Sequence, residues 1–140
     1  PPKITRHLSL GLRATADPGK VNLQLYTVTL QPAASPGAAP KQISQGPFDF
    51  LVDREQLRER WNQVAFTFDS ESLRLFLNGD LAVTHQLPVK GPAAEFGGVV
   101  IGGHRAGTGR NFDGWIDEVA IWQRLLDQDE IRRLSKASSK

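Results

Sequence analysis

The sequence predicts an all-β domain: two antiparallel sheets stacked as a sandwich, with one short C-terminal helix. Three observations predict it. Apolar and polar residues alternate in short runs, the two-residue side-chain period of a strand. Turn dipeptides such as Pro18-Gly19 and Asn78-Gly79 punctuate those runs. Only the stretch after Asp127 carries the capping residues and three-residue apolar spacing of a helix. The 140 residues suit one core, so residues 1–140 are read as a single domain; the opening Pro-Pro-Lys, without a methionine, is read as the start of a fragment of a larger protein or of a processed product.

Each element follows in order. Ile4 to Leu12 places Leu8, Leu10 and Leu12 on one face, and Val21 to Leu30 answers with Val21, Leu23 and Leu25. The turn "ADPGK" joins them into a hairpin: proline fixes φ and glycine admits the reversal. A proline-rich excursion is expected over residues 31–47, because proline cannot donate to a ladder; it reads as a variable surface insertion or a lid over a ligand. Asn62 to Phe68 places Val64, Phe66 and Phe68 on one face. Leu73 to His85 is a second hairpin, turned at Asn78-Gly79, where both central residues tolerate positive φ. Val99 to Gly103 and Trp115 to Gln123 are expected to be the last strands, seven or eight in all. Asp127 is the expected N-cap of the closing helix, Glu130 completes a capping box, and Ile131 and Leu134 form its docking side.

Composition excludes several functions. The formal charge of +2 is small and interspersed with acids, so nucleic acid is not an expected partner. There is no apolar run of about twenty residues, so this segment inserts into no membrane as a helix. The chain has no cysteine, which removes disulfides, thiolate zinc sites and cysteine nucleophiles and leaves three histidines and the carboxylates as metal ligands. The histidines show no short ligand spacing.

The acids from Asp113 to Glu130 raise the question of catalysis. Adjacent residues on a strand point to opposite faces, so Asp117 and Glu118 cannot act on one substrate together. Two carboxylates flanking a glycosidic bond need a separation of about 5 to 9.5 Å on one side of the sugar. A strand supplies that at i, i+2 or i+4; here Trp115 and Ala120 occupy the positions that would have to be acidic. Asp127, Asp129 and Glu130 are accounted for by the helix N-terminus.

These residues instead form a signature. Phe112, Gly114, Ile116, Asp117, Glu118, Val119, Ile121, Trp122, Arg124, Leu126, Glu130, Ile131 and Leu134 spell "F-x-G-x-I-D-E-V-x-I-W-x-R-x-L-x-x-x-E-I-x-x-L". "WNQVAFTFD" from Trp61, "LRLFLNG" from Leu73 and "VVIGG" from Val99 precede it in order. Together they resemble the laminin G-like, concanavalin A-like jelly-roll domains over Trp61 to Leu134; the first sixty residues match weakly. The resemblance implies a two-sheet jelly roll that binds glycans or an extracellular protein, often with calcium at a rim. It also implies an extracellular, periplasmic or cell-envelope location. Asp69, Asp80 and Asp113 are the candidate calcium ligands, each also readable as a turn residue.

The best binding candidate is the loop Gly102 to Gly114, where His104, Arg105, Arg110 and Asn111 are donors and Asp113 an acceptor beside Phe112 or Trp115. Its alternative is a plain glycine-rich connection. Trp61 and Trp122 are expected in the core, and His85 as a partly buried, hydrogen-bonded histidine. The expected function is a noncatalytic recognition module for carbohydrate or a protein partner. Its rivals are a polysaccharide hydrolase, which would need a carboxylate pair across strands such as Glu95 and Asp117, and a purely structural spacer.

Overall fold

The computed structural model describes residues 5–31, 33, 35–39, 41–69, 71–87, 99–103 and 111–137. Two three-stranded antiparallel sheets face each other. The first has the order β1 (Thr5–Ala14), β2 (Lys20–Gln31), β3 (Lys41–Asp53). One turn, α1 (Arg54–Leu57), leads to the second sheet of β4 (Val64–Phe68), β5 (Ser72–Leu77) and β6 (Asp80–Gln86). The helix α2 (Gln128–Ala137) closes the described chain.

Register follows from alternation and turn chemistry. The β1–β2 turn is tied by Asp17, whose side-chain oxygen accepts the Gly19 N–H at 2.8 Å and whose carbonyl accepts the Lys20 N–H at 3.1 Å. Leu10 then lies opposite Leu25 and Leu12 opposite Leu23; across β2, Phe48 and Phe50 meet the same pair. These residues share the inner face. In the second sheet Leu75 lies between Phe66 and Val83, and Leu73 between Phe68 and His85.

Leu23, Leu25 and Val52 from one sheet and Leu73, Leu75 and the following Leu87 from the other form a single buried cluster. Burying each such side chain stabilises the fold by about 1.5 to 3 kcal/mol. Cover over β1 is incomplete: its inner-face Leu10 and Leu12 remain 39% and 46% exposed. His85 also lies between the sheets, its ring centroid 4.9 Å from that of Phe48. The expected hydrogen bond is missing at its Nε2, which is buried and has no partner. The aromatic neighbour holds the ring by packing and offers no acceptor.

At the Asn78-Gly79 turn both residues have positive φ, 53° and 86°, as a two-residue hairpin of this hand requires. The same turn seats α2: a Cβ on Gly79 would stand 3.0 Å from Arg132 Cα. Ile131 is buried in this docking and Leu134 half-buried, on the side the spacing predicted.

In the course of the backbone the structure differs from the sequence reading in three places. The proline-rich excursion does not extend over residues 31–47, because β3 begins at Lys41 and takes Pro47 within it. Proline fits there because β3 is an edge strand among the described residues and the ladder is bulged: pairing passes from Leu25–Phe48 to Thr27–Gln45, leaving Gly46 and Pro47 outside it. Next, residues 99–103 and 115–123 form no ladder, so six strands, not seven or eight, are present among the described residues. An extended segment is a strand only where a neighbouring edge takes up its N–H and C=O groups, and no described edge lies beside these. Last, Glu118 takes φ of 50°, which breaks the two-faced alternation that would have set it opposite Asp117.

Two substitutions measure these supports. Leu75→Ala is expected to cost about 2 to 5 kcal/mol as a buried cavity. Gly79→Ala is expected to cost about 1 to 3 kcal/mol, combining left-handed strain with the clash against α2. Urea midpoints with unchanged m-values would report both; a neutral Gly79→Ala would show that α2 is not seated on the turn.

Candidate functional site

The surface that the fold leaves unexplained is the arm between the described glycines and α2, residues 111–125. Its root is fixed by one backbone hydrogen bond, from the Phe112 N–H to the Gly102 carbonyl at 2.8 Å. Asn111 lies beside Gly103, with Asn111 Oδ1 3.6 Å from the Cβ position of that glycine. Farther along, Asp117 Oδ1 accepts the Glu118 N–H at 2.8 Å. This local bond offers the backbone an alternative to a ladder.

Every residue from 111 to 125 is exposed, including Ile116, Val119, Ile121, Trp122 and Leu125. Trp115 reaches 87% exposure. Scattered exposed apolar residues are ordinary, but a contiguous run of them marks an interaction surface. Trp122, expected in the core, belongs to this run; Trp61, expected there too, is 60% exposed. Both tryptophans lie outside the ladders that would have turned them inward.

The arm enters α2 through a rigid joint. Asp127 Oδ1 accepts the Glu130 N–H at 2.8 Å and Glu130 Oε2 accepts the Asp127 N–H at 2.9 Å, the reciprocal pair predicted for the helix start. Arg124 donates to both carboxylate oxygens of Glu130, at 2.6 and 2.9 Å, in a bidentate pair. Trp122, Leu126, Arg133 and Leu134 join these two residues around an open groove of about 370 Å³. The Arg124 hydrogen bonds, followed by the Asp127 N–H, lower the Glu130 pKa to about 2.

The candidates read from the sequence separate. His104, Arg105 and Arg110 lie outside the described residues, as does Glu95. Asn111 and Asp113 are exposed at the root of the arm. Asp69 is a turn residue: its carboxylate accepts the N–H groups of Glu71 and Ser72 and the Ser72 hydroxyl, and it faces Arg74 at 3.6 Å. Burial raises its pKa, and these hydrogen bonds and Arg74 outweigh that and lower it. Asp80 pairs with Arg132 of α2 at 3.2 Å. Among the described residues, no group of three or more histidines and carboxylates gathers to hold a metal ion. Asp69, Asp80 and Asp113 therefore do not together supply the six to eight oxygens that calcium requires.

A family model for the Concanavalin A-like lectin/glucanases superfamily, of laminin G type, matches residues 18–132. The chain belongs to that superfamily. The match takes in β2 to β6 and the whole arm, so the arm is part of the matched domain; β1 precedes the match. Among solved structures, the chain is similar to an S-layer domain-containing protein (residues 221–444) from Clostridium thermocellum, at 18% identity and a TM-score of 0.40. That alignment covers 91% of this chain and 64% of the other. No curated protein matches.

The apolar surface was missed in the sequence because both alternating faces of 115–123 carry large apolar residues, which reads as an interior strand. Those residues were the signal; what was absent was the rest of a sheet to cover them.

The joint makes a pH prediction. Glu130 in the folded chain titrates near 2, below its ordinary 4.5. Its stabilising contribution is therefore complete above 4.5 and is lost as pH falls from 4.5 towards 2. Glu130→Gln is expected to flatten the fall of the urea midpoint across that window. An unchanged slope would show that the Arg124 pair does not persist in solution.

Proposed function

We propose that this domain is a noncatalytic recognition module that binds a protein partner through the apolar arm. The observation that carries the reading is the contiguous exposure of large apolar side chains from Phe112 to Leu125, with Trp115 almost fully in solvent. Burying such a segment against a partner releases hydration free energy in proportion to its area, and aromatic anchors dominate such interfaces. The superfamily contains both lectins and glucanases by its description, so membership supports a binding fold without choosing a ligand.

The absence of catalysis is part of the proposal. Three acids of this region have structural duties: Asp117 holds the Glu118 N–H, Asp127 and Glu130 cap α2, and Glu130 also holds Arg124. A carboxylate engaged by a bidentate arginine and held near pKa 2 cannot serve as a general acid at neutral pH. An extracellular or cell-envelope location accompanies the reading, as the superfamily supports.

A second reading has one observation in its favour. The groove at the arm–helix joint is lined by both Trp122 and Arg133, an aromatic ring and a cation that suit an acidic sugar. A glycan array run with calcium and again with a chelator decides between the two. Silence in both conditions is expected. Chelator-insensitive binding of acidic glycans, lost in Trp122→Ala, would favour the groove. Calcium-dependent binding to one sugar class would overturn the protein-partner reading and return attention to Asp113.

A further inference from the structure

The Asn78-Gly79 turn carries a chemistry that the hairpin does not need. We infer that Asn78 is a site of self-modification, at which the side-chain amide is lost to give aspartate and isoaspartate, and that Asn62 holds the reaction off while the domain is folded.

The reaction needs only the chain and water. The Gly79 backbone nitrogen attacks Asn78 Cγ and gives up its proton. A bond forms between that nitrogen and Cγ, the bond from Cγ to Nδ2 breaks, and ammonia leaves with the proton. Water then opens the cyclic imide at one of its two carbonyls. One opening gives aspartate; the other routes the backbone through the side chain and gives isoaspartate. Amide and water become acid and ammonia, with nothing oxidised or reduced. Glycine favours the attack because it has no side chain to obstruct it. The other asparagines, Asn22, Asn62 and Asn111, precede leucine, glutamine and phenylalanine, whose side chains obstruct it.

Folding draws the amide away from that nitrogen. Asn78 has φ of 53°, so its backbone leaves the β4–β5 ladder and its side chain supplies the next rung. The Asn78 N–H donates to the Gln63 carbonyl at 2.9 Å, and Asn78 Oδ1 accepts the Gln63 N–H at 2.9 Å, one residue beyond the Val64–Leu77 pair. Asn78 Nδ2 donates to Asn62 Oδ1 at 3.0 Å. Asn62 is itself oriented: its Nδ2 donates to the Leu57 and Arg60 carbonyls at 3.3 and 3.1 Å, which leaves its oxygen to face Asn78. Both ends of the Asn78 amide are therefore held towards the chain entering β4, and Cγ reaches the Gly79 nitrogen only when these bonds break.

The products do not suit the same place. A carboxylate still accepts the Gln63 N–H but sets a second acceptor against Asn62 Oδ1. Isoaspartate adds a methylene to the backbone of a two-residue turn whose glycine lies against α2, with the Gly79 Cβ position 3.0 Å from Arg132 Cα and 3.3 Å from Ser135 Cβ. A lengthened turn no longer seats the helix. Each opening of the domain frees the amide and leaves some chains unable to dock α2 again, so the turn records how often the domain has opened.

Peptide mapping by mass spectrometry, with fragmentation that separates isoaspartate from aspartate, tests this on the 140-residue chain incubated folded and in urea at mildly alkaline pH. In urea, Asn78 is expected to convert ahead of Asn22, Asn62 and Asn111; in the folded chain its conversion is expected to be far slower. Asn62→Ala is expected to raise the folded-state rate roughly two- to tenfold, the worth of one hydrogen bond. Asn62→Asp loses the same two donations to Leu57 and Arg60 but keeps an acceptor for Asn78 Nδ2, and is expected to stay near the parent rate. Circular dichroism checks that both variants fold. The isolated isoaspartate form is expected to exchange its α2 amides faster than the parent. Equal rates in the folded and unfolded chain, or no preference for Asn78 in urea, overturn the inference. An unchanged rate in Asn62→Ala, or an equal rise in both variants, overturns the role of Asn62, and unchanged exchange in α2 overturns the link to the helix.

Discussion

Leu23 and Leu25 of the first sheet packing with Leu73 and Leu75 of the second is the contact on which the structure depends. No ladder joins the two sheets among the described residues, so this apolar layer, with Val52, Leu87 and the partly buried side chains packed around it, holds them face to face. The layer sets the register of every strand, because a slip of one residue would turn the leucines outward. It also explains the polar partners on the opposite face of β2. Asn22 and Gln24 are buried there and satisfied by the Phe50 N–H and the Asp49 carboxylate, at 3.0 and 2.7 Å. Inner leucines and outer amides are two consequences of one alternation.

The small width of that layer has a cost. A sandwich of three strands against three covers its centre and leaves its margins wet. Thr27 is wholly buried at the bulge with no partner for its hydroxyl, and His85 keeps an unpaired buried nitrogen. Each such group weakens a fold by about 1 to 3 kcal/mol relative to a satisfied one. At the β1 margin the deficit is apolar: the leucines that should be covered are not.

Local chemistry was legible in the sequence; long-range pairing was legible only where both partners were close in the chain. Pro18-Gly19, Asn78-Gly79 and the Asp127–Glu130 box act within a few residues, and each appears in the structure where the sequence placed it. The two hairpins follow, because their strands are joined by those turns. The segment from Trp115 to Gln123 has the composition of a strand but no sequence neighbour to pair with, so its fate depended on an edge that alternation cannot identify. Pro47 was misjudged for a related reason: a proline excludes a central ladder position, but whether β3 would be central or at an edge is a property of the sheet. Of the candidate site, only Asn111 and Asp113 fall on described residues. Asn111 and Asp113 stand at the root of a surface whose character is set by Trp115, Ile116 and Ile121.

The acids of the signature now have a common role. Asp117, Asp127 and Glu130 each hold backbone or a cation at a place where the chain changes state. Asp117 bonds the N–H of the residue with reversed φ, Asp127 and Glu130 start α2, and Glu130 binds Arg124 across that start. The joint fixes the end of the arm to a helix that is itself locked on the Asn78-Gly79 turn, so the arm cannot be withdrawn without loosening the second sheet. A tethered, strained segment loses less conformational entropy on binding than a free peptide does, and so retains more of its contact energy as affinity. Capping residues that look like a catalytic cluster thus serve the fold, by fixing the start of α2 and with it the end of the exposed apolar arm.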